Sequence, residues 1–392
     1  PAKTKTSLAD VVGTVPLLQW AREHGCPWNM DTCAEAAKGG HLSVLQWARE
    51  HGCPWDEETC ACAARGGHLE VLQWAYENKC PCSKHSSSSA AAEGGQLPCL
   101  VWARDNGFEL DTYTFGYAAR SGNFDCLMFL RKQGCPWDKR TCTSAASGGH
   151  LEVLQWAREH GCDWNEYTCE KAAEGGHLDC LVWAHEHGCE WSKYTCYAAA
   201  SNGHLDCLVW AREHGCDWDD RTCADAARRG HLDCLKYARE HGCLWDKDTC
   251  VNAARGGHLD CLVWAREHGC DWDERTCSEA AKGGHFDCLV WAHEHGCEMD
   301  EHTCGHAAGN GHLDCLKYAR AHGCPWNREQ CARFGRNSCI GHWINDHTLP
   351  ELEEKDSDED EEYEEDEEDE EDEEEGNDDD EEGNYEEGDP FW

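Results

Sequence analysis

Apolar side chains recur at fixed places along this chain, in blocks that repeat almost unchanged. In the copy from His258 to Gly284, apolar residues stand at positions 2, 4, 5, 7 and 8, counted from the histidine. This spacing predicts a helix with a wide apolar face, which a glycine at position 12 is expected to end. Further on, Cys277, Ala280 and Ala281 are spaced i, i+3 and i+4, which predicts a second helix with a narrow face of small side chains. Asp273 is a suitable N-cap for this second helix.

The block recurs through most of the chain. Successive copies begin 27 residues apart and, in one place, 28 residues apart. A fixed period of this size is typical of a solenoid, in which one supersecondary unit stacks on its neighbours. Because neither helix can bury its apolar face alone, the sequence predicts an all-α solenoid of about 12 helical hairpins. The residues at position 1 are Thr14, His41, His68, Gln96, Asn123, His150, His177, His204, His231, His258, His285 and His312.

The two ends and one inner segment depart from the pattern. Residues 1–347 are predicted to form the array, with 1–40 as its N-terminal cap region and 325–347 as its C-terminal cap, because terminal repeats need a polar outer face. Between residues 78 and 149 the copies are less regular. That segment is either drift within a tolerant array or a specialised binding segment, and both interpretations stay open.

Each cap has its own predicted helices. At the N-terminus, Ser7–Val12 and Val15–Glu23 are expected to form a truncated first hairpin. At the C-terminus, Cys339–Ile344 is expected to form the closing helix.

The residues around the turn between copies resemble a known family. The order Ala-Ala-x-x-Gly-His-Leu, followed by a later Gly-Cys-x-Trp, is similar to ankyrin repeats. The resemblance covers roughly residues 6–347 and is closest to the short-repeat ankyrin proteins that are abundant in large DNA viruses and in protists. It implies a helical array that holds protein partners on its concave face. In one copy the matching residues are Ala280, Ala281, Gly284, His285, Leu289 and Gly296.

Two features differ from the usual ankyrin repeat. Ankyrin repeats have a period of about 33 residues and begin their first helix with Thr-Pro-Leu-His. This chain has a period of 27 and begins the corresponding helix with Thr-Cys, as at Thr276-Cys277. The missing residues would come from the β-hairpin finger that ankyrin proteins often use for binding.

The net charge of −44 is unevenly distributed along the chain. Residues 351–392 contain 29 Asp and Glu against one Lys, and the first 350 residues contain 49 acidic against 33 basic side chains. Since both parts are acidic, we expect no binding to a nucleic-acid backbone, and a basic protein is the better electrostatic match. Blocks of like charge repel and cannot bury a core, so residues 348–392 are predicted to be a disordered acidic tail.

The acidic tail allows three interpretations. It binds basic clients such as histones or ribosomal proteins, it keeps the array soluble by masking basic spots, or it docks a partner through its terminal Phe391-Trp392. The sequence does not choose among them.

Nothing in the chain predicts insertion into a membrane. No apolar run approaches the ~20 residues that a span requires, and no apolar signal-peptide core precedes the first copy. We therefore expect an intracellular protein of the cytoplasm or nucleus, acting as a monomer, whose 32 cysteines are reduced.

Cysteine recurs at positions 4, 13 and 20, often with histidine at positions 1 and 11. Zinc prefers such ligands, but the paired Cys-x-x-Cys spacing of structural zinc sites is missing. Valine replaces cysteine at position 4 in Val44, Val71 and Val153, which indicates packing. Two close pairs, Cys60-Ala-Cys62 and Cys80-Pro-Cys82, are interpreted as incidental. No metal and no cofactor are predicted.

The other recurring residues are also expected to be structural. A histidine at the same place in nearly every copy is expected to bond a backbone group at the turn. Eighteen of the 20 tryptophans stand at positions 7 and 15, where other large apolar residues also occur, so they are interpreted as core. No nucleophile–base arrangement and no phosphate-binding glycine loop is present, so catalysis is not expected.

Positions 18 and 22 differ from copy to copy, unlike the positions expected to pack. They stand at i and i+4 on the second helix, opposite its Cys-Ala-Ala face, so stacked copies align them into a strip. Aromatic and arginine side chains are typical interface anchors, and the middle of the chain is rich in them. The alternative is that these are unconstrained solvent positions. The predicted partner-binding residues are Tyr113, Tyr117, Arg140, Tyr167, Lys171, Tyr194, Tyr197, Arg221 and Asp225.

The sequence thus favours a non-catalytic scaffold or adaptor that binds a protein on the concave face of the array. A first alternative is an acidic chaperone that sequesters basic clients through its tail. A second is metal or redox buffering through the cysteines.

Overall fold

The computed structural model describes residues 13–334 and 339–346 of the chain. Within these residues all regular secondary structure is α-helical, and the helices are numbered α1 to α25 along the chain. The predicted acidic tail, residues 348–392, and Ser7–Val12 of the predicted first hairpin lie outside the described residues. The predicted all-α repeat fold is confirmed.

The odd-numbered helices up to α23 correspond to the predicted helix with a wide apolar face, at positions 2 to 10 of each copy. We call them the Leu/Trp helices. They are α1 (Val15–Glu23), α3 (Leu42–Glu50), α5 (Leu69–Glu77), α7 (Leu97–Asp105), α9 (Phe124–Lys132), α11 (Leu151–Glu159), α13 (Leu178–Glu186), α15 (Leu205–Glu213), α17 (Leu232–Glu240), α19 (Leu259–Glu267), α21 (Phe286–Glu294) and α23 (Leu313–Ala321).

The even-numbered helices correspond to the predicted helix with small side chains. We call them the Cys/Ala helices. They are α2 (Met30–Lys38), α4 (Glu57–Arg65), α6 (Lys84–Glu93), α8 (Thr112–Ser121), α10 (Lys139–Ser147), α12 (Glu166–Glu174), α14 (Lys193–Ser201), α16 (Thr222–Arg228), α18 (Lys247–Gly256), α20 (Arg275–Gly283), α22 (Glu301–Asn310) and α24 (Arg328–Phe334). A final helix, α25 (Cys339–Asp346), matches the predicted closing helix.

Local sequence signals set the helix ends. Asp300 accepts a hydrogen bond from the backbone N–H of Thr303 at 3.0 Å and so caps the start of α22. Gly269, at position 12, adopts a left-handed φ of 83°, which stops the Leu/Trp helix before it. These features are the ones expected from the repeat pattern.

The two kinds of helix pack in different ways. Each Cys/Ala helix packs against the Cys/Ala helices before and after it, and against the Leu/Trp helix that follows it. Close approach is possible because the facing side chains are small, such as Ala280 and Ala281, both fully buried. The Leu/Trp helices contribute one fully buried leucine per copy at position 5, for example Leu262. The core is therefore continuous from copy to copy.

The histidines at position 1 are structural, as predicted. His68 Nε2 lies 2.9 Å from the carbonyl oxygen of Lys38, the last residue of α2, and His285 Nε2 lies 3.0 Å from that of Arg255. Each ring thus bonds the end of the Cys/Ala helix that lies one hairpin before its own turn, α2 for His68 and α18 for His285. A Cβ on Gly40 would lie 2.4 Å from the His68 ring, and Gly40 also has a left-handed φ of 73°. Glycine is required there on both counts.

The tryptophans at positions 7 and 15 interleave between copies. The rings of Trp245 and Trp264 meet edge to face at 5.7 Å, and both pack against the core. Outside this layer, the guanidinium of Arg266 lies 4.4 Å from the Trp272 ring centre and donates to the carbonyl of Cys270 at 3.1 Å. This arrangement fixes the short connection between the two helices.

The recurring cysteines are mostly buried, in agreement with the packing interpretation. Those at position 13 also donate a hydrogen bond, as Cys270 does to the carbonyl of Asp246 at 3.1 Å. In regular copies this thiol also contacts a cysteine at position 20 of the preceding copy. The contact between Cys142 and Cys162 lowers the pKa of the Cys162 thiol, although burial acts against it.

One extra residue distinguishes the copy that begins at His68. Helix α6 absorbs it, because Ser87 and Ser88 occupy the buried places that Thr59 and Cys60 take in α4. His85 therefore corresponds to position 17 of the other copies, and not to position 18. Its Nδ1 lies 3.0 Å from the carboxylate of Asp111.

Candidate partner-binding strip

Side chains at position 18 are exposed on successive Cys/Ala helices, as the sequence predicts. The rings of Tyr113, Tyr167 and Tyr194 are 47%, 51% and 41% exposed, on α8, α12 and α14. Two arginines are also exposed at position 18. Arg140 lies in the copy between those of Tyr113 and Tyr167, and Arg221 lies in the copy after that of Tyr194. We call the whole predicted set the tyrosine strip: Tyr113, Tyr117, Arg140, Tyr167, Lys171, Tyr194, Tyr197, Arg221 and Asp225.

At one end of the strip, two neighbouring copies are joined through Arg140. Its guanidinium lies 4.4 Å from the centre of the Tyr113 ring and donates to the hydroxyl of Thr112 at 2.7 Å. It also donates twice to Asp138 in its own copy, at 2.9 and 2.8 Å. These contacts fix the Tyr113 ring while leaving about half of it open to solvent.

A small cleft lies beside this pair, with a volume of about 180 Å³. Gly116 stands where most other copies carry a larger side chain, and a Cβ there would lie 3.3 Å from the Ser144 hydroxyl. The missing side chain therefore leaves space between α8 and α10. The residues that line the cleft are Thr112, Tyr113, Gly116, Tyr117, Arg120, Arg140 and Ser144.

At the other end of the strip, an ion-paired group holds the aromatic rings. Asp219 is only 1% exposed, and its carboxylate lies 2.9 Å from Lys193 Nζ and 3.2 Å from Arg221 Nε. Arg221 in turn lies 5.3 Å from the Tyr197 ring centre. The Tyr194 and Tyr197 rings meet edge to face at 6.5 Å.

The charges at this end also change proton affinities. Burial acts to raise the pKa of Asp219, but Lys193 and Arg221 outweigh it and leave that pKa below its ordinary value. Burial, with Asp225 beside the phenol, raises the pKa of Tyr197. At neutral pH this end of the strip therefore presents an ionised carboxylate, two cations and a neutral phenol.

The structure divides the predicted residues into two groups. Those at position 18 are exposed, whereas Tyr117, Lys171 and Asp225 at position 22 are partly buried, because the neighbouring Cys/Ala helix covers part of them. Lys171 forms an ion pair with Glu174. Tyr197 stands at position 21 and is also half-buried. The strip is thus centred on position 18, and position 22 forms its edge.

Sequence reasoning missed Asp219 and Lys193. The available signal was a triplet: an acid at position 16 and an arginine at position 18, with a lysine at position 17 of the preceding copy. Asp273, Arg275 and Lys247 repeat that triplet two copies later, with Lys247 Nζ 2.8 Å from Asp273.

Position 18 is used differently on α18 to α22. Arg275 donates to Asp248 at 2.7 Å and also bonds Asp273, so residues of neighbouring copies neutralise each other. Arg255 and Glu279 form a second pair between copies, at 2.7 Å. We call this face the charge-paired face.

One cluster of metal-ligand type occurs among residues 13–334 and 339–346, and it lies outside the strip. It consists of Cys60, Cys80 and Cys82, whose sulfur atoms all lie within 4.8 Å of one another. Cys80 and Cys82, interpreted from the sequence as an incidental pair, thus lie beside a third cysteine. The loop between α5 and α6 brings both of these cysteines to Cys60 on α4, which spacing along the chain did not reveal.

Helices and turns follow one another in a fixed order within the repeat. Most Cys/Ala helices end in a Gly-His turn, and the Leu/Trp helix that follows packs back against the helix before the turn. Each such hairpin stacks on the next, and the histidine of its turn bonds the Cys/Ala helix of the preceding hairpin. The protein is an ankyrin-like repeat array. Within the described residues it has no strands, so the short connection replaces the β-hairpin finger.

Comparisons with known proteins give matches among solved structures but none among family models or curated proteins. No family model matches the chain, and no curated protein matches it. Among solved structures, one match is the crystal structure of the human ASB11 ankyrin repeat domain. It has 15% sequence identity, covers 40% of this chain and 84% of that chain, and gives a TM-score of 0.32. The resemblance to viral and protist short-repeat proteins stays a prediction.

In the part of the chain that the structure describes, no helix is long and apolar enough to cross a bilayer.

Proposed function

We propose that this ankyrin-like array is a non-catalytic scaffold that binds a protein partner along the tyrosine strip. The observation that carries the proposal is the exposure of Tyr113, Tyr167 and Tyr194, each about half open, with Tyr113 and Tyr194 held beside the ion-paired Arg140 and Lys193. Large rings held in place lose little conformational entropy on binding, and tyrosine and arginine are typical hot-spot residues.

The composition of the strip supports a partner with mixed chemistry. The rings offer apolar area, and the adjacent cleft of about 180 Å³ has room for a partner side chain. The guanidinium groups of Arg140 and Arg221 are already engaged by Asp138 and Asp219, so the strip itself is not strongly basic. A nucleic-acid partner is therefore not proposed, because its phosphates would need free cations.

We also propose how the chain is organised and where it acts. Residues 1–347 act as the repeat array, with caps at 1–40 and 325–347, and the protein acts as a monomer in the cytoplasm or nucleus. Apart from Cys60 and Cys82, which form a disulfide, the cysteines whose side chains the structure describes are free thiols, and their abundance supports a reducing compartment. A basic partner would match the overall net charge of −44.

Affinity capture with the full chain tests the proposal. The test variant carries Tyr113→Ser, Tyr167→Ser and Tyr194→Ser. The matched control carries Asp248→Ser, Arg275→Ser and His302→Ser, which alter position 18 on α18, α20 and α22. The proposal expects the same proteins to be captured by the wild type and the control and to be lost from the test variant.

Two results would contradict the proposal. One is equal capture by all three proteins. The other is capture that depends only on residues 351–392 and disappears at moderate salt, with basic proteins as the lost ones, because this would assign recognition to the acidic segment.

A further inference from the structure

The cluster of Cys60, Cys80 and Cys82 differs from the cysteine pairs of the regular copies. In a regular copy, a cysteine at position 20 contacts the position-13 cysteine of the next copy, and tryptophan stands at position 15. Cys60 and Cys80 occupy the first two of these places. Cys82 stands at position 15, where tryptophan would be expected, and adds a third sulfur to an ordinary pair.

The backbone keeps the first two cysteines in their usual places. Lys79 replaces the glycine of position 12 and still adopts a left-handed φ of 66°. Cys80 consequently donates to the carbonyl of Asp56 at 3.2 Å, as the other position-13 cysteines do one copy back. The third sulfur therefore comes from the altered loop alone, not from a rearranged array.

Two of the three cysteines in the cluster are shielded from solvent. Cys60 is fully buried and Cys80 is 6% exposed, whereas Cys82 is half-buried. Contrary to the expectation that all 32 cysteines are reduced, Cys60 and Cys82 are joined as a disulfide, with their Cα atoms 5.6 Å apart. An external dithiol can reduce this bond, passing two electrons and two protons to the sulfurs while it forms its own disulfide. The product is a group of three thiols.

Three sulfurs without a fourth ligand restrict the choice of cation. A structural zinc site needs four protein ligands, and the group within 4.8 Å contains only the three cysteines among the described residues. Thiolates select soft cations, and Cu(I) is a soft cation that sulfur ligands alone can bind. An ion with three metal–sulfur bonds of about 2.3 Å holds its ligands about 4 Å apart, which falls within the 4.8 Å that spans the three sulfurs, once reduction has released Cys60 from Cys82.

We propose that Cys60, Cys80 and Cys82, once reduced, bind a single soft cation of the Cu(I) class through three thiolates, and that the Cys60–Cys82 disulfide closes this site. Binding displaces the thiol protons to solvent. The site is separate from the tyrosine strip and does not depend on the proposed scaffold function.

A competitive titration tests the proposal. The full chain, reduced with a phosphine and kept free of oxygen, is titrated with Cu(I) against a coloured copper chelator. The variants are Cys82→Ser, Cys82→Trp, which restores the regular residue, and Cys142→Ser as the control from a regular pair. Circular dichroism confirms that each variant is folded.

The wild type and Cys142→Ser are expected to remove one equivalent of copper from the chelator. Both Cys82 variants are expected to bind at least about 100-fold more weakly, because loss of even an outer-shell partner costs about 10–100-fold. X-ray absorption of the complex should show three sulfur neighbours. Protein left in its disulfide form should not compete with the chelator.

Three results would overturn the proposal. The first is equal copper binding by the wild type and the Cys82 variants. The second is equal binding by the disulfide form. The third is tight binding of Zn(II) with none of Cu(I), which would assign the cysteines to a different class of site.

Discussion

The tyrosine strip and the charge-paired face occupy equivalent places in the same array. Both lie on Cys/Ala helices over a fully buried layer of alanine, as at Ala199 and Ala280. On the charge-paired face, Arg275 bonds Asp248 and Asp273, so the side chains at position 18 neutralise one another. On the strip, aromatic rings stay about half exposed. The difference shows that the buried positions set the fold, while position 18 is free to set the surface.

The largest expected effect concerns the core. We expect the core to pack in the same way under the tyrosine strip and under the charge-paired face. Leu181 on α13 and Leu262 on α19 are both fully buried at position 5. Replacing either by alanine should lower the free energy of unfolding by about 2–5 kcal/mol, because a cavity is left behind. Urea denaturation measures both variants. A large loss for one and a negligible loss for the other would show that the two regions do not share one architecture.

The next effect concerns binding, where the two regions should differ. Tyr167→Ala removes an anchor that is 51% exposed, and its affinity for the captured partner should fall by about 30-fold or more, as for a hot-spot residue. Arg275→Ala, the matched change on the charge-paired face, should alter it by less than about 3-fold. Calorimetric titration measures both. Equal losses would remove the distinction between strip and charge-paired face.

A smaller effect uses the ion-paired triplet that both regions share. Asp219→Asn and Asp273→Asn should each cost about 1 kcal/mol of unfolding free energy at pH 7, because each carboxylate bonds a lysine and an arginine. The folded pKa of each aspartate is lowered, against the effect of burial. Its contribution is therefore present above the ordinary pKa of about 3.9 and is lost as the pH falls through the folded pKa.

Urea titrations of wild type and variants between pH 7 and pH 3 test this pair. The gap in unfolding free energy between each variant and the wild type should narrow as the pH falls. A gap that widens toward acid pH, or that appears for only one aspartate, would contradict the equivalence of the two triplets.

The smallest effect concerns Arg140. Arg140→Gln removes the cation beside the Tyr113 ring, which is worth about 0.5–1 kcal/mol at an exposed site, so partner affinity should fall about 2–5-fold. Arg275→Gln breaks an ion pair on the charge-paired face and should leave affinity unchanged. Binding assays at two salt concentrations compare them. A greater loss for Arg275→Gln would place recognition on the other region.

Much of this comparison was predictable from the sequence. Leu262 and Ala280 recur at helical spacing, so the two helices, their turns and their buried faces follow from periodicity alone. The exposure of Tyr113, Tyr167 and Tyr194 follows from the same geometry, since position 18 lies opposite the alanines.

The remaining features depend on contacts between copies, which periodicity does not supply. Lys171 and Asp225 are half-buried because the next Cys/Ala helix lies close, a distance set by side-chain size. Asp219 meets Lys193 only once the stacking of copies is known. Cys82 reaches Cys60 because the loop keeps its left-handed turn at Lys79, a residue that does not favour it.

Site-specific photo-crosslinking shows directly which of the two faces touches the partner. A photoreactive amino acid is placed at position 113, 167 or 194 in one set of proteins, and at position 248, 275 or 302 in a second set. The account predicts that one captured partner crosslinks from the first set and not from the second. Crosslinks to that partner from the second set alone, or equally from both, would contradict the assignment of binding to the tyrosine strip.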